Sequence, residues 1–149
     1  MIKLDGRVVN LGHFPDGTLL IKEDVPRNYE GECSAKISWK YENDAEMVAL
    51  IYLTKHLKEH GVEKIHLDMP YIPNARQDRV KSDEDVFTLK YFCEVINSLH
   101  FDTVWVRDAH SNVALALLEN VCEDFEAIRL LGADHIRLHL RWDLFQPNP

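Results

Sequence analysis

Hydrophobic and polar positions change their period along this chain. Between 33 and 41, Cys33, Ala35, Ile37, Trp39 and Tyr41 alternate with Ser34, Lys36, Ser38 and Lys40, the period of two that marks a strand with one wet face. From Asn43 the period lengthens. Met47, Leu50, Ile51, Leu53, Thr54 and Leu57 form a helical stripe. Asn43 stands where it can cap that helix, Glu46 where it can reach back to the cap, and Gly61 where a left-handed residue ends it. The apolar run over 62–69 predicts a buried strand. The alternation then repeats: a helix over 85–99 with Leu89, Phe92, Cys93, Ile96 and Leu99 inward, a strand over 103–107, and a helix over 113–119 capped by Ser111 or Asn112. Before all of these, 7–11 and 19–22 read as strands flanking a tight turn at Asp16-Gly17. Near the end, Ile136, Leu138, Leu140, Trp142 and Leu144 alternate with His135, Arg137, His139, Arg141 and Asp143. That predicts a last strand with a basic outer face, stopped by Pro147 and Pro149.

Strand and helix in strict succession specify an α/β fold: a mainly parallel sheet wrapped by helices on both faces, with an antiparallel hairpin at the amino end. In such a sheet the ligand crevice lies at the carboxyl ends of the strands. Two polar clusters, 74–79 and 108–112, fall at such ends. The 149 residues, 46% of them hydrophobic, suit one domain with a real core. The three cysteines, Cys33, Cys93 and Cys122, are widely spaced in apolar contexts, which predicts free thiols and a cytoplasmic setting. No secretory pattern opens the chain and no apolar run nears the ~20 residues of a membrane span. A formal charge of −8 speaks against a nucleic-acid surface but leaves room for a small anion held by a few local cations.

Candidate chemistry gathers in the two clusters. Pro70-Tyr71-Ile72-Pro73-Asn74-Ala75-Arg76-Gln77-Asp78-Arg79 puts a guanidinium, an amide and a carboxylate just past a buried strand. A guanidinium there suits phosphate oxygens through forked hydrogen bonds, and an amide can serve a purine edge. Outside a site, the same residues would be a solvated loop. His110, in the knot Asp108-Ala109-His110-Ser111-Asn112, could contact a Mg²⁺-nucleotide or simply be hydrogen-bonded in its loop. Turn chemistry accounts for Asp16 and Gly17 but not for Phe14, whose ring could stack on a base. His135 and His139, and likewise His56 and His60, have the spacing of two zinc ligands on a helix. The first pair lies in a two-periodic stretch with no Glu after His135, and the second sits at a helix end where cations favour the dipole. Neither predicts a zinc site. No nucleophile elbow or Walker loop is present.

Taken in order, Phe14-x-Asp16-Gly17, Glu42-Asn43-Asp44, the Pro-Tyr-x-Pro-x-Ala-Arg-Gln-Asp run of 70–78 and Asp108-Ala109-His110 resemble the amino-terminal half of the ribose-phosphate diphosphokinases, over roughly residues 7–120. The resemblance implies a three-layer, phosphoribosyltransferase-like fold and transfer of diphosphate from Mg-ATP to ribose 5-phosphate. It implies that Phe14, Asp16, Gly17 and Thr18 approach the adenine, that Arg76, Gln77 and Asp78 contact the nucleotide, and that His110 helps hold Mg²⁺-ATP. An adenine pocket shared between subunits implies a homo-oligomer. Four departures stand out. Thr18 replaces a usual Glu, and Asp83-Glu84-Asp85 replaces an Arg-x-Pro segment. The leading strand and helix are expected to be absent before Arg7. The carboxy-terminal half, with its sugar-phosphate loop, mobile basic loop and second metal-binding aspartate, is expected to be missing, so this chain alone is not expected to complete the transfer. The other function compatible with these departures is a non-catalytic partner that regulates an active homologue.

Overall fold

The computed structural model describes residues 1–23 and 34–123. Six strands form the main sheet in the order β2-β1-β5-β6-β7-β8: β2 (Arg7–Val8), β1 (Ile2–Leu4), β5 (Ser34–Trp39), β6 (Lys64–Tyr71), β7 (Thr103–Asp108) and β8 (Val121–Glu123). The run β5 to β8 is parallel, while β1 pairs antiparallel with both β2 and β5. Helices α1 (Ala45–Glu59), α2 (Thr88–Ser98) and α3 (Asn112–Leu117) link the parallel strands, and β3 (Leu11–His13) with β4 (Leu19–Ile21) makes a separate hairpin. The expected α/β fold with its antiparallel hairpin is what the chain forms.

Burial explains why the strands sit where they do. Ile37, Leu67 and Val106, from three neighbouring strands, are 0% exposed, and each such side chain contributes ~1.5–3 kcal/mol on leaving water. Trp39 extends this layer against Phe92 of α2, with ring centroids 6.1 Å apart. On α1 the inward stripe is Ala49, Leu50, Leu53, Thr54 and Leu57. The helix ends as expected at Gly61, with φ +82°. Gly61 N–H donates to Lys58 O and Val62 N–H to Leu57 O, both at 3.1 Å, the paired bonds of a Schellman stop. At the other end Asn43 Oδ1 accepts from Glu46 N–H at 3.3 Å. The Glu46 carboxylate, however, takes its bonds from the Met1 amine, Trp39 Nε1 and Glu42 N–H rather than from Asn43.

Several boundaries differ from expectation. A leading strand does precede Arg7, because Asp5 (φ 46°) and Gly6 (φ 82°) form a two-residue turn that pairs Leu4 with Arg7. Residues 7–11 are two strands: Val9 N–H donates to Ile2 O and keeps β2 on the main sheet, whereas Leu11 begins the separate hairpin. Helix α2 starts at Thr88, not 85, since Asp85 Oδ2 is taken by the backbone N–H groups of Lys81 and Ser82 at 2.7 and 2.9 Å. That closed turn occupies the acidic segment 83–85. Ser111 is the cap of α3, its Oγ accepting from Val113 N–H at 3.2 Å. Cys33 and the strand expected over 135–145, with His135 and His139, lie outside the described residues.

Candidate active site

The carboxyl ends of β5, β6 and β7 open into a cleft of about 590 Å³. Tyr41, Tyr71, the segment 72–77 and His110 line it. Proline and aromatic residues close β6, and the backbone then turns sharply: Asn74 has φ 63°, and Gln77 N–H donates to Asn74 O at 2.9 Å. Asparagine tolerates this left-handed conformation better than most residues. The opposite loop is turned more tightly. His110 has φ 55°, and Ser111 N–H donates to Ala109 O at 2.6 Å, a γ-turn in its strained, positive-φ form. Strained backbone held by its surroundings collects at binding sites.

Arg76 and Gln77 line the cleft together with His110, so the two loops singled out in the sequence meet in one space. Arg76 is exposed and has no carboxylate within 4.0 Å among the described residues. Its guanidinium is therefore available to an anion. Gln77 Oε1 accepts from Thr88 Oγ1 at 2.5 Å, which fixes the amide and leaves its NH₂ as the free end. Asp78 does something else. Its carboxylate receives Arg79 Nε at 3.0 Å and Ser111 Oγ at 3.1 Å. Those bonds, from Arg79 first and Ser111 second, hold its pKa below the ordinary 3.8. Asp78 ties the loops together beside the cleft and does not line it.

His110 Nδ1 lies 2.6 Å from Asp108 Oδ1, and the His110 N–H donates to the same oxygen at 3.2 Å. This pair orients the imidazole and leaves Nε2 as its outward nitrogen. No group of three or more His, Cys, Asp or Glu side chains converges on a resident metal site among the described residues. Mg²⁺ commonly takes one or two protein ligands and completes its shell with water and substrate phosphates. Asp108 and His110 carry donor types that such an ion takes, and of the two only His110 lines the cleft.

The hairpin residues are placed apart. Phe14 is 50% exposed at the β3–β4 turn, and Gly17 has φ +83° and so requires glycine. Thr18 donates through both Oγ1 (2.7 Å) and N–H (3.0 Å) to Asp16 Oδ1, and these bonds lower the Asp16 pKa. None of Phe14, Asp16, Gly17 and Thr18 lines the cleft. Two lining residues had no assigned role from sequence. Tyr71 Oη donates to Tyr41 O at 2.7 Å, and Tyr41 Oη to Asp44 Oδ1 at 2.6 Å. Their one sequence signal is an aromatic residue at each strand end, and strand propensity explains that equally well.

Comparison with known proteins fits this geometry. Ribose-phosphate pyrophosphokinase of Thermococcus kodakarensis is 27% identical over 124 residues, 83% of this chain and 43% of the relative. The enzyme of the same name from Methanothermobacter thermautotrophicus is 24% identical over 123 residues, 83% and 42%. Ribose-phosphate pyrophosphokinase 1 of Listeria monocytogenes is 24% identical over 139 residues, 92% and 43%. The crystal structure of phosphoribosylpyrophosphate synthetase from Mycobacterium smegmatis superposes with a TM-score of 0.64 at 12% identity, over 85% of this chain and 44% of that one. This chain resembles the amino-terminal half of a ribose-phosphate pyrophosphokinase. It spans less than half the length of these relatives. No protein-family model matches it. Among the described residues no helix is long and apolar enough to cross a membrane.

Proposed function

We propose that this chain is the Mg-ATP-binding half of a ribose-phosphate diphosphokinase, acting with a complementary half that seats ribose 5-phosphate. The observation that carries the reading is the single cleft in which Arg76, with no carboxylate partner among the described residues, the fixed amide of Gln77 and the Asp108-oriented His110 converge. In the reaction the sugar 1-hydroxyl attacks the β-phosphorus of ATP, the bond to AMP breaks, and the hydroxyl proton is released. Such transfers are accelerated by holding the groups in line and neutralising the developing charge. Here Arg76 supplies fixed positive charge to the phosphates and Gln77 a directed N–H donor, while His110, oriented by Asp108, would hold the ion that the phosphates bring. Mg²⁺, when bound, would supply further charge neutralisation. Phe14, Asp16 and Thr18 serve the adenine of a neighbouring copy's nucleotide, since they lie on a hairpin away from the cleft, and the working unit is a homo-oligomer.

Calorimetry with a non-hydrolysable ATP analogue and Mg²⁺ tests the reading. Binding should weaken by roughly ten- to a hundredfold in Arg76→Ala, the value of one charge-assisted hydrogen bond or pair of them. Release of AMP from ATP and ribose 5-phosphate should require the complementary half. An absence of binding at about 1 mM analogue would overturn the reading and favour a non-catalytic partner of an active homologue.

A further inference from the structure

A second hollow, of about 390 Å³, lies on the polar row of the sheet and shares no residue with the cleft. Lys3 of β1, Ser38 and Lys40 at the end of β5, and Arg107 of β7 line it, around Asp68 of β6. Asp68 is only 5% exposed, and a carboxylate so buried has to be paired. It is paired twice: Arg107 Nη2 donates to both its oxygens at 3.1 and 2.9 Å, and Lys36 Nζ stands 2.9 Å away. The aspartate thus pins the Arg107 side chain through one nitrogen and leaves Nε and Nη1 without a partner among the described residues.

The remaining lining is rich in donors and poor in acceptors. Neither Lys3 nor Lys40 has a carboxylate within 4.0 Å among the described residues, and Ser38 Oγ has no hydrogen-bond partner there. The Met1 amine also borders the hollow but is paired with Glu42 and Glu46; the other three cations against one carboxylate leave an excess of two positive charges. In a chain of formal charge −8, gathering Lys3 and Lys40 at the neighbouring strands β1 and β5, with Arg107 beyond β6, costs mutual repulsion that an occupant of opposite charge would relieve. We propose that this hollow is an anion site for a phosphate-type dianion. Such a group supplies at least three acceptor oxygens for Arg107, the lysines and Ser38, and it matches the excess of two charges. A carboxylate offers only two oxygens and one charge.

The test is an NMR titration of the intact chain, labelled with nitrogen-15, at constant ionic strength. Inorganic phosphate and glycerol 3-phosphate separate a free anion from a phosphomonoester, and acetate is the carboxylate control. Saturable shifts centred on the amides of Gly6, Ser38 and Lys40 are expected with phosphate and not with acetate. Affinity should fall by about tenfold in the pair Lys3→Ala/Lys40→Ala and stay unchanged in Arg76→Ala, which alters only the other cleft. Circular dichroism melting confirms that the double variant is folded. Should it have lost its fold, Lys40→Ala alone gives the same readout. Linear, unsaturated shifts spread over many lysines, equal binding of acetate, or unchanged affinity in the lysine variant would each overturn the proposal.

Discussion

Ser111 Oγ donates a 3.1 Å hydrogen bond to Asp78 Oδ2, joining the loop after β6 to the loop after β7. The same oxygen accepts from Val113 N–H as the cap of α3. One hydroxyl therefore fixes both the distance between the two halves of the cleft and the start of the helix behind it. Ser111→Ala should lower stability by about 1 kcal/mol, the usual cost of losing a cap. It should also weaken binding of the Mg-ATP analogue, because Arg76 and His110 are then no longer held in register. Ser111→Thr, which keeps the hydroxyl, should restore most of both. Urea melts and calorimetry on the three proteins check this. A stability loss with unchanged binding would show that Ser111 serves the helix alone.

Asn74 sits at φ 63° within the lining of the cleft. Asparagine bears that conformation with modest strain, glycine with none, and a β-branched residue with much more. Asn74→Gly should leave the melting temperature within a few degrees of wild type. Asn74→Val should cost ~1–3 kcal/mol and reshape the floor on which Arg76 stands. Differential scanning calorimetry of the two variants decides between this account and one in which the Asn74 side chain itself carries the stability.

How much of this was legible in the sequence depends on the length of each signal. The stripes of α1 and α2 and the alternation of β5 run for several turns or pairs, long enough for their period to show. Strand β1 is only three residues, too short for any period. Its one sign is the Asp5-Gly6 pair, a favoured two-residue hairpin turn. Strand β8 is equally short and is made by its register with β7 rather than by its own residues. In the site, Arg76, Gln77 and His110 were found because their types suit phosphate and metal chemistry. Asp78 was assigned to the nucleotide on the same ground. Sequence carries no sign that Ser111, thirty-three positions on, would engage it. Tyr41 escaped because an aromatic residue at a strand end reads as core, and Tyr71, though inside the Pro-Tyr motif, carries no chemistry of its own that marks a role.

Glu46 shows how a buried carboxylate sets a pH limit on the fold. Burial pushes its pKa up. The bonds it accepts from the Met1 amine, Trp39 Nε1 at 3.0 Å and Glu42 N–H at 2.9 Å outweigh that effect and leave the pKa below the ordinary 4.5. A group whose folded pKa is depressed contributes its stability above the unfolded pKa and loses it as pH falls through the folded one. The protein should therefore lose stability on acidification below 4.5. Glu46→Gln should be less stable at neutral pH, with a shallower loss through the acid range. Chemical melts of both proteins between neutral pH and the acid range measure the two slopes. Parallel curves would assign the acid loss to other carboxylates.

The division between hairpin and cleft makes the last prediction. Phe14 is half exposed, has no place in the core, and does not line the cleft that holds Arg76. If its ring meets adenine, it does so across a subunit contact, and nucleotide affinity must then depend on assembly. Affinity of the wild-type chain for the Mg-ATP analogue should rise with protein concentration as sedimentation shows oligomers forming. Phe14→Ala should remove ~1–3 kcal/mol of that gain, the value of a stacked base. Its melting temperature should stay unchanged at concentrations where the chain is monomeric. Mixing Phe14→Ala with Arg76→Ala should recover part of the binding, because a mixed oligomer pairs one intact hairpin with one intact cleft. Two variants that bind no better together than apart, in a mixture shown by sedimentation to co-assemble, would place both residues in the same subunit's site and refute the division.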